Sequence, residues 1–508
     1  MAQLVHRVNL SATSFPLLSR NQGRPVIVRG QDQNYVNPVA SKEDTDKDIG
    51  IPQVYYCHNV MPTQNGFESV SYDTQISGSP SFSAFTSIFL LRDPSENKVY
   101  FVHTLDGKNY ILKPGGGTWI ETTPVACTGK VTVAHVQGQS YIYFEAIGCY
   151  RYDYNTNTLV AVTLTGLTPS AIIGICGAVG YLIAWGTASV AWSSTIDPTD
   201  FVPSLTTGAG TGSVEGAQGA INICVQHTLG FIVYTTENTV AALYSSNARY
   251  PFNFRPIVSS GGAADLDLVT YDSNSGSHYA YTTSGLQLIS AQGTQTIFPE
   301  VTDFISGQYF EDFDETTLIL STQKLSFPLQ KKLTVVADRY FVLSYGISAL
   351  THALVYDLVQ RRWGKLRTPH VDCFEYQLLN PTTTEIPRKS LAFIQADGTI
   401  KTVNFANGDS TTSGVLILGK YQYVRTRLLQ LDAVAVETVT SDSNFNLYDA
   451  YSLDGKVPTG TVAGYLAYKG PLSRDYNFRL VGLNHSLILK GSFYVNSIEL
   501  TFHVHGGR

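Results

Sequence analysis

The chain has 508 residues, a formal net charge of −6 and only 15% charged residues, so its surface is poor in the cations that a phosphate-wrapping protein needs. Tyr alone supplies 31 residues and Gly 43, while Met supplies two, a balance that disfavours exposed helices and favours short strands joined by tight turns. The composition therefore points to an all-β protein long enough for more than one domain.

The first 70 residues or so show little periodicity. Gln22-Gly23-Arg24-Pro25 reads as a turn into Val26-Ile27-Val28, and the charged stretch 41–50 reads as a loop or exposed arm. The N-terminus lacks a basic start followed by an apolar core, and no apolar run approaches the ~20 residues of a membrane span. The longest such run, 171–185, is interrupted by Gly174, Gly177 and Gly180. These features predict a soluble product assembled in a cytoplasm.

From about residue 80 to 405 a unit of strand, turn, strand recurs with aromatic punctuation. Val99-Tyr100-Phe101-Val102 turns at Asp106-Gly107 into Tyr110-Ile111-Leu112. Tyr141–Phe144 leads to Tyr152-Asp153 and then Leu159–Val162. Similar units start at Tyr181, Phe231, His278, Tyr340 and Leu391. They lie about 40 to 60 residues apart, the spacing of four-stranded propeller blades. A strand ending in Tyr-Asp, then a polar turn and a strand with Trp, is the pattern of outer blade strands, as in Val355-Tyr356-Asp357 to Trp363. Radial stacking hides the faces that one short sheet cannot hide alone. After 405 the texture changes to alternating strands, of which 493–505 is the clearest. The expected organisation is an irregular or strand segment over 1–75 packing on the propeller, a β-propeller over 76–405 and an additional C-terminal β-domain over 406–508.

The candidate chemistry is sparse. Cys57, Cys127, Cys149, Cys176, Cys224 and Cys373 form no C-x-x-C pair and read as buried small hydrophobes. Asp44, Asp46 and Asp48 alternate as in a calcium loop, but Ile49 and Tyr55 stand where that loop needs Gly and Glu. His503 and His505 share a strand face with no carboxylate or Cys beside them in sequence. The acidic group Glu311, Asp312, Asp314 and Glu315 reads as a solvated face. Arg361-Arg362-Trp363-Gly364-Lys365 mixes cations with an indole, and reads as a solvated blade edge. Residues 206–219 read as a mobile Gly-rich loop with no P-loop lysine. No nucleophile elbow occurs. Ser452-Leu453-Asp454-Gly455 lacks the spacing and the Trp of a sialidase box. The sequence thus predicts no catalytic, cofactor or metal residues and no enzyme.

Four segments resemble the tail hub or nozzle proteins of short-tailed bacteriophages, also called packaged-DNA stabilisation proteins. They are Ala191-Trp192-Ser193-Ser194-Thr195-Ile196-Asp197-Pro198-Thr199-Asp200-Phe201; Tyr250-Pro251-Phe252 with Ser259-Ser260-Gly261-Gly262-Ala263; Val355-Tyr356-Asp357 to Trp363; and Arg479-Leu480-Val481-Gly482 with Ile498-Glu499-Leu500. The resemblance runs in order from about residue 100 to 405 and resumes at the end. It implies a β-propeller subunit of a six-fold ring in the virion tail, below the portal and adaptor rings. Such a ring continues the genome channel and carries fibres, spikes or a plug, and double-stranded DNA passes through it without sequence-specific binding. A lumen that is acidic or neutral is expected from the −6 balance. Two other classes fit the composition: a carbohydrate-binding or glycan-degrading propeller for receptor recognition, and a scaffold for protein partners unrelated to phages.

Overall fold

A computed structural model describes residues 3–9, 26–27, 54–78, 82–95, 97–247, 250–378, 388–405, 414–422, 428–439, 444–452, 467–469, 476–482 and 484–504. The chain is all-β: a β-propeller with an additional β-domain. Five consecutive four-stranded antiparallel meanders form blades 1 to 5. Their innermost strands are Phe85–Arg92, Val131–Val136, Gly174–Ala178, Ile221–His227 and Val269–Asp272. Blade 6 begins at Gln330–Val336 and blade 7 at Asp372–Leu378. Each innermost strand neighbours the next, and that of blade 7 returns to that of blade 1, so the ring closes at seven blades.

The blades form where the turn chemistry and the aromatic strands expect them. Tyr152-Asp153 and Tyr356-Asp357 both end third strands, and the fourth strands Thr158–Val162 and Arg362–His370 follow. Asp357 is buried at its turn, where it accepts from the Val359 and Gln360 amides and from Arg339. Seven apolar clusters lie between blades, one at each junction. Between blades 3 and 4, for example, Trp185, Trp192, Phe231 and Phe252 interlock, with the Phe231 and Phe252 ring centroids 5.0 Å apart. Segment 206–219, expected as a mobile loop, contains the outermost strand of blade 3, Gly210–Ser213. The glycines serve close approach here: a Cβ at Gly210 would lie 2.9 Å from the Trp192 indole.

Closure of the ring uses a strand from far upstream. Gly66–Ile76 pairs with Ile400–Phe405 and is the outermost strand of blade 7, so blade 7 is made from both ends of the propeller segment. Strand Val60–Thr63 bridges to the last strand of blade 6 at Lys365. The additional domain also mixes the two ends of the chain. Gln3–Asn9 pairs with Tyr494–Val504, which pairs with Leu429–Thr438. Val54–His58 pairs with Gly414–Gln422, which pairs in turn with Asn484–Ser492. One apolar core containing Val8, Phe67, Leu416, Leu447, Leu489 and Phe502 fills the space between these strands. Gly66 must approach this domain so closely that a Cβ there would run into the Val495 carbonyl.

Phe67 belongs to that core, is fully buried and lies under the Arg362 guanidinium at 4.4 Å, so it joins the closing strand to both domains. Phe67→Ala is expected to cost about 3–5 kcal/mol, read as a lower urea midpoint at unchanged slope. An unchanged midpoint would remove this strand from the closure.

Among the buried histidines, five are held in the neutral state: His58, His227, His278, His352 and His370. Burial pulls each below the ordinary imidazole value, to about 4 for His370 and about 3 for His278. The unfolded chain takes up protons below pH ~6.5 that the folded chain refuses, so stability is lost as pH falls from there. Glu68, Glu311 and Asp372 are pushed up by burial, Glu68 to about 7, and act the other way, but they are outnumbered. The thermal midpoint should therefore fall steeply between pH 6.5 and 4.5, and circular dichroism melts across that range check it.

Candidate functional site

The concave centre of a propeller is the natural place to look for chemistry. The innermost strands of blades 1, 5, 6 and 7 surround a cavity of about 540 Å³, and those of blades 2, 3 and 4 line a second of about 240 Å³. The polar groups of the larger one are engaged with each other. The Lys332 ammonium lies 3.0 Å from both Asp267 and Asp372, 3.0 Å from the Thr86 carbonyl and 2.7 Å from the Ser87 hydroxyl. Burial alone would pull Lys332 down, but the two carboxylates outweigh it and hold it above its ordinary value. Burial pushes the Asp372 carboxyl up, against the pull of Lys332. Asp372 also accepts from the Ile88 amide at 3.1 Å, across the joint between blades 7 and 1. Farther along the cavity, Lys389 lies 3.1 Å from Glu375 and 3.8 Å from Asp338. Acids and cations thus neutralise each other, and no nucleophile with an adjacent base stands among the lining residues.

The two charged groups that stood out in the sequence meet. Glu311 and Lys365, expected on solvated faces, are both buried and form an ion pair at 3.5 Å. The reason is the hairpin Tyr309–Asp314/Ile319–Lys324, which follows the helix Pro299–Ser306 and places Glu311 against blade 6 and strand Val54–His58. Its acids are distributed over several partners: Asp312 pairs with Arg367 at 3.0 Å, and Glu315 with Lys490 at 3.4 Å and His58 at 3.3 Å. Asp314 alone remains a turn residue, accepting from the Thr316 and Thr317 amides. Lys365 also lies 4.4 Å over the Tyr56 ring. Burial pushes Glu311 up and Lys365 down, while each opposes the shift in the other. The group fastens the hairpin to blade 6 and to the additional domain.

The other sequence candidates disperse. All six cysteines are buried and free, and burial holds their thiols above the ordinary value, so none is a poised nucleophile. His503 does have a carboxylate beside it, Asp432 at 3.4 Å on the paired strand, which sequence adjacency could not show. His505, Asp44, Asp46, Asp48 and residues 453–455 lie outside the described residues. Among the described residues, no three His, Cys, Asp or Glu side chains are placed to hold a metal, and no helix is long and apolar enough to cross a membrane.

One surface feature was not foreseen. Large apolar side chains stand exposed on one face of blades 3 and 4, among them Ile196 at 75% and Leu205 at 71%. Both lie in the loop 193–209 that joins the third and fourth strands of blade 3. The loop is well built. Ser193 and Phe201 are buried, the Ser194 hydroxyl accepts from the Ile196 and Asp197 amides, and Asp197 accepts from Thr199. It overlaps residues 191–201, one of the four segments that carried the resemblance, and Trp192 ends a blade strand.

No family model matches the chain, and no curated protein matches it. A solved structure that does align is the extracellular domain of a hybrid two-component system from B. thetaiotaomicron, at 13% identity and a TM-score of 0.42. The alignment covers 88% of this chain and 62% of that one, so this chain spans less than two-thirds of its length. A likeness of that size carries no argument about function.

Replacing Lys332 tests whether the axis is held by this one cation. Lys332→Met leaves Asp372 buried without its counter-charge, and is expected to destabilise by about 3–5 kcal/mol at pH 7. Unpaired Asp372 binds a proton more readily in the folded state, so the deficit should shrink as pH falls toward 4. The double variant Lys332→Met/Asp372→Leu should recover much of the loss. A single variant as stable as the parent in urea unfolding would contradict the assignment.

Proposed function

We propose that this chain is a structural, non-enzymatic virion protein: a ring-forming subunit of a short-tailed phage tail, in the position of hub or nozzle. The exposed apolar loop of blade 3 carries the reading. Ile196 and Leu205 stand uncovered on one ordered loop, and contiguous apolar surface of that kind marks places where a protein meets other proteins. The self-neutralised axis supports the same view, because its acids and cations hold the ring closed instead of facing a substrate. The resemblance supplies the rest. The ring would be six-fold and would continue the DNA channel below portal and adaptor. It would carry fibres, spikes or a plug, retain the packaged genome, and let duplex DNA slide past a neutral or acidic wall.

Negative-stain images of the purified protein and of particles should show rings containing this chain, and genes for terminase, portal and adaptor should flank its own. A protein that never joins a particle would overturn the proposal. Specific hits on a glycan array would favour a receptor-binding propeller instead.

A further inference from the structure

Two buried lysines of this chain meet carboxylates, and they differ in how well they are bonded. Lys332 has four oxygens within 3.0 Å: Asp267, Asp372, the Thr86 carbonyl and the Ser87 hydroxyl. Lys365, as an ammonium, has three N–H groups but one hydrogen-bond partner among the described residues, Glu311 Oε2 at 3.5 Å. The Glu311 carboxyl is equally bare. Its Oε1 is buried and has no partner among the described residues, whereas the Asp372 oxygens also accept from the Ile88 and Cys373 amides.

The surroundings are those of a reaction site closed to water. One face of blade 6 carries Tyr345, His352 and Lys365, because Tyr345 is paired with His352, His352 with Arg367, and Lys365 alternates with Arg367 on one strand. The hairpin lays Glu311 on that face. Phe310 and Phe313, which flank Glu311, pack 5.0 Å from the His352 ring and 5.8 Å from the Tyr56 ring. The Lys365 Nζ lies 4.4 Å over the Tyr56 ring. The Tyr56 and Tyr345 hydroxyls are buried and have no partner among the described residues. Burial holds both phenols protonated, so each remains a donor, and both feel the charge of Glu311.

We propose that Lys365 and Glu311 condense into an isopeptide bond, with loss of one water, and so tie the hairpin covalently to blade 6. A proton first passes from the ammonium to the carboxylate, which leaves both groups neutral. Burial favours that form, since it pulls Lys365 down and pushes Glu311 up. The amine lone pair then attacks Cδ of the acid. The C–N bond forms, the bond from Cδ to the hydroxyl breaks, and the hydroxyl leaves with an amine proton as water. Nothing is oxidised or reduced, and no co-reactant is needed. The Tyr56 and Tyr345 hydroxyls are the donors available to the oxygen that becomes negative at the tetrahedral stage. The product is a neutral amide in place of a buried charge pair, and its dry surroundings oppose hydrolysis. Lys332 cannot follow the same course, because two carboxylates hold it charged. The bond joins positions 54 residues apart in one chain, so it forms without a partner.

Mass spectrometry of the full chain is the test. The parent should be lighter than its sequence by one water, and Lys365→Met should show no such loss. Trypsin should spare Lys365 in the parent, so that the fragment Trp363–Arg367 stays joined to the fragment containing Glu311. That branched fragment is read on the parent and holds whether or not Lys365→Met folds. Tyr56→Phe should keep the parent circular dichroism spectrum yet slow the loss of water about 100-fold after pulse synthesis. A folded parent that keeps its full mass on prolonged incubation, or is cut by trypsin after Lys365, overturns the proposal. So does a loss of water that maps elsewhere, such as a succinimide at an aspartate.

Discussion

The innermost edge of each blade sets the terms for this molecule. An inner strand is an edge strand, and its outward amides have no ladder to join. The protein answers with side-chain oxygens from the neighbouring blade. Ile175 donates to the Thr132 hydroxyl at 2.9 Å, Val335 to Thr270 at 3.0 Å, and Ile88 to Asp372 at 3.1 Å. The last joint differs because it uses a carboxylate. It is the joint between the final blade and the first, which the chain crosses only from the upstream strand Gly66–Ile76 into Phe85–Arg92. A buried carboxylate needs a counter-charge, and Lys332 supplies it from blade 6 while also reaching the Thr86 carbonyl and Ser87 of blade 1. One ammonium therefore ties together the three blades that meet at closure.

The rim is closed by another device, with a different consequence. Because Gly66–Ile76 completes blade 7, its first residues lie beside Phe405, the end of the propeller segment. The strands on either side of the propeller segment are thereby brought to one place, where they form the additional domain. The hairpin that carries Glu311 and Glu315 bonds both to blade 6 and to this domain through Lys365, Lys490 and His58. The pairings between the two ends of the chain join residues hundreds of positions apart, so they cost more loop closure than the blade hairpins do, and the blades can form first.

This division explains what could be read from the sequence. The blades were legible because their information is local: Tyr-Asp before a polar turn, Asp-Gly and Ser-Gly tips, and aromatic strands of four to eight residues. The closing strand was not, because Gly66–Ile76 looks like any other strand and its role depends on a partner more than 300 residues away. The same holds for Glu311 and Lys365. Each lies in a run of like charges that has the pattern of a solvated turn, and only the placement of the hairpin turns them inward. Gly210 and Gly212 misled in a similar way, since a glycine required by a facing indole is spelled like a glycine in a flexible loop. The exposed valine at 179 left no local trace of its strain, because its φ becomes known only with the turn.

What remains for function follows from how these polar groups are used. Lys332, Asp267 and Asp372 close the axis, Lys389 pairs with Glu375, and Glu311 with Lys365 fastens the hairpin; each is stabilised by its partner, and freeing one for chemistry would leave the other buried and unpaired. Activation of a buried group by detuning its partner is thus opposed by the stability of the fold itself. The outer surface carries no such constraint. There the side chains that serve folding least are the uncovered ones: Ile196 and Leu205 on a loop held rigid by its own serine and aspartate bonds, and Val179 on a strained tip. A rigid loop that displays apolar groups has lost its conformational freedom before any partner arrives, so docking against it orders little and retains more of the burial energy. A partner docking there would meet the closed propeller as a stiff body and its loops as the points of contact.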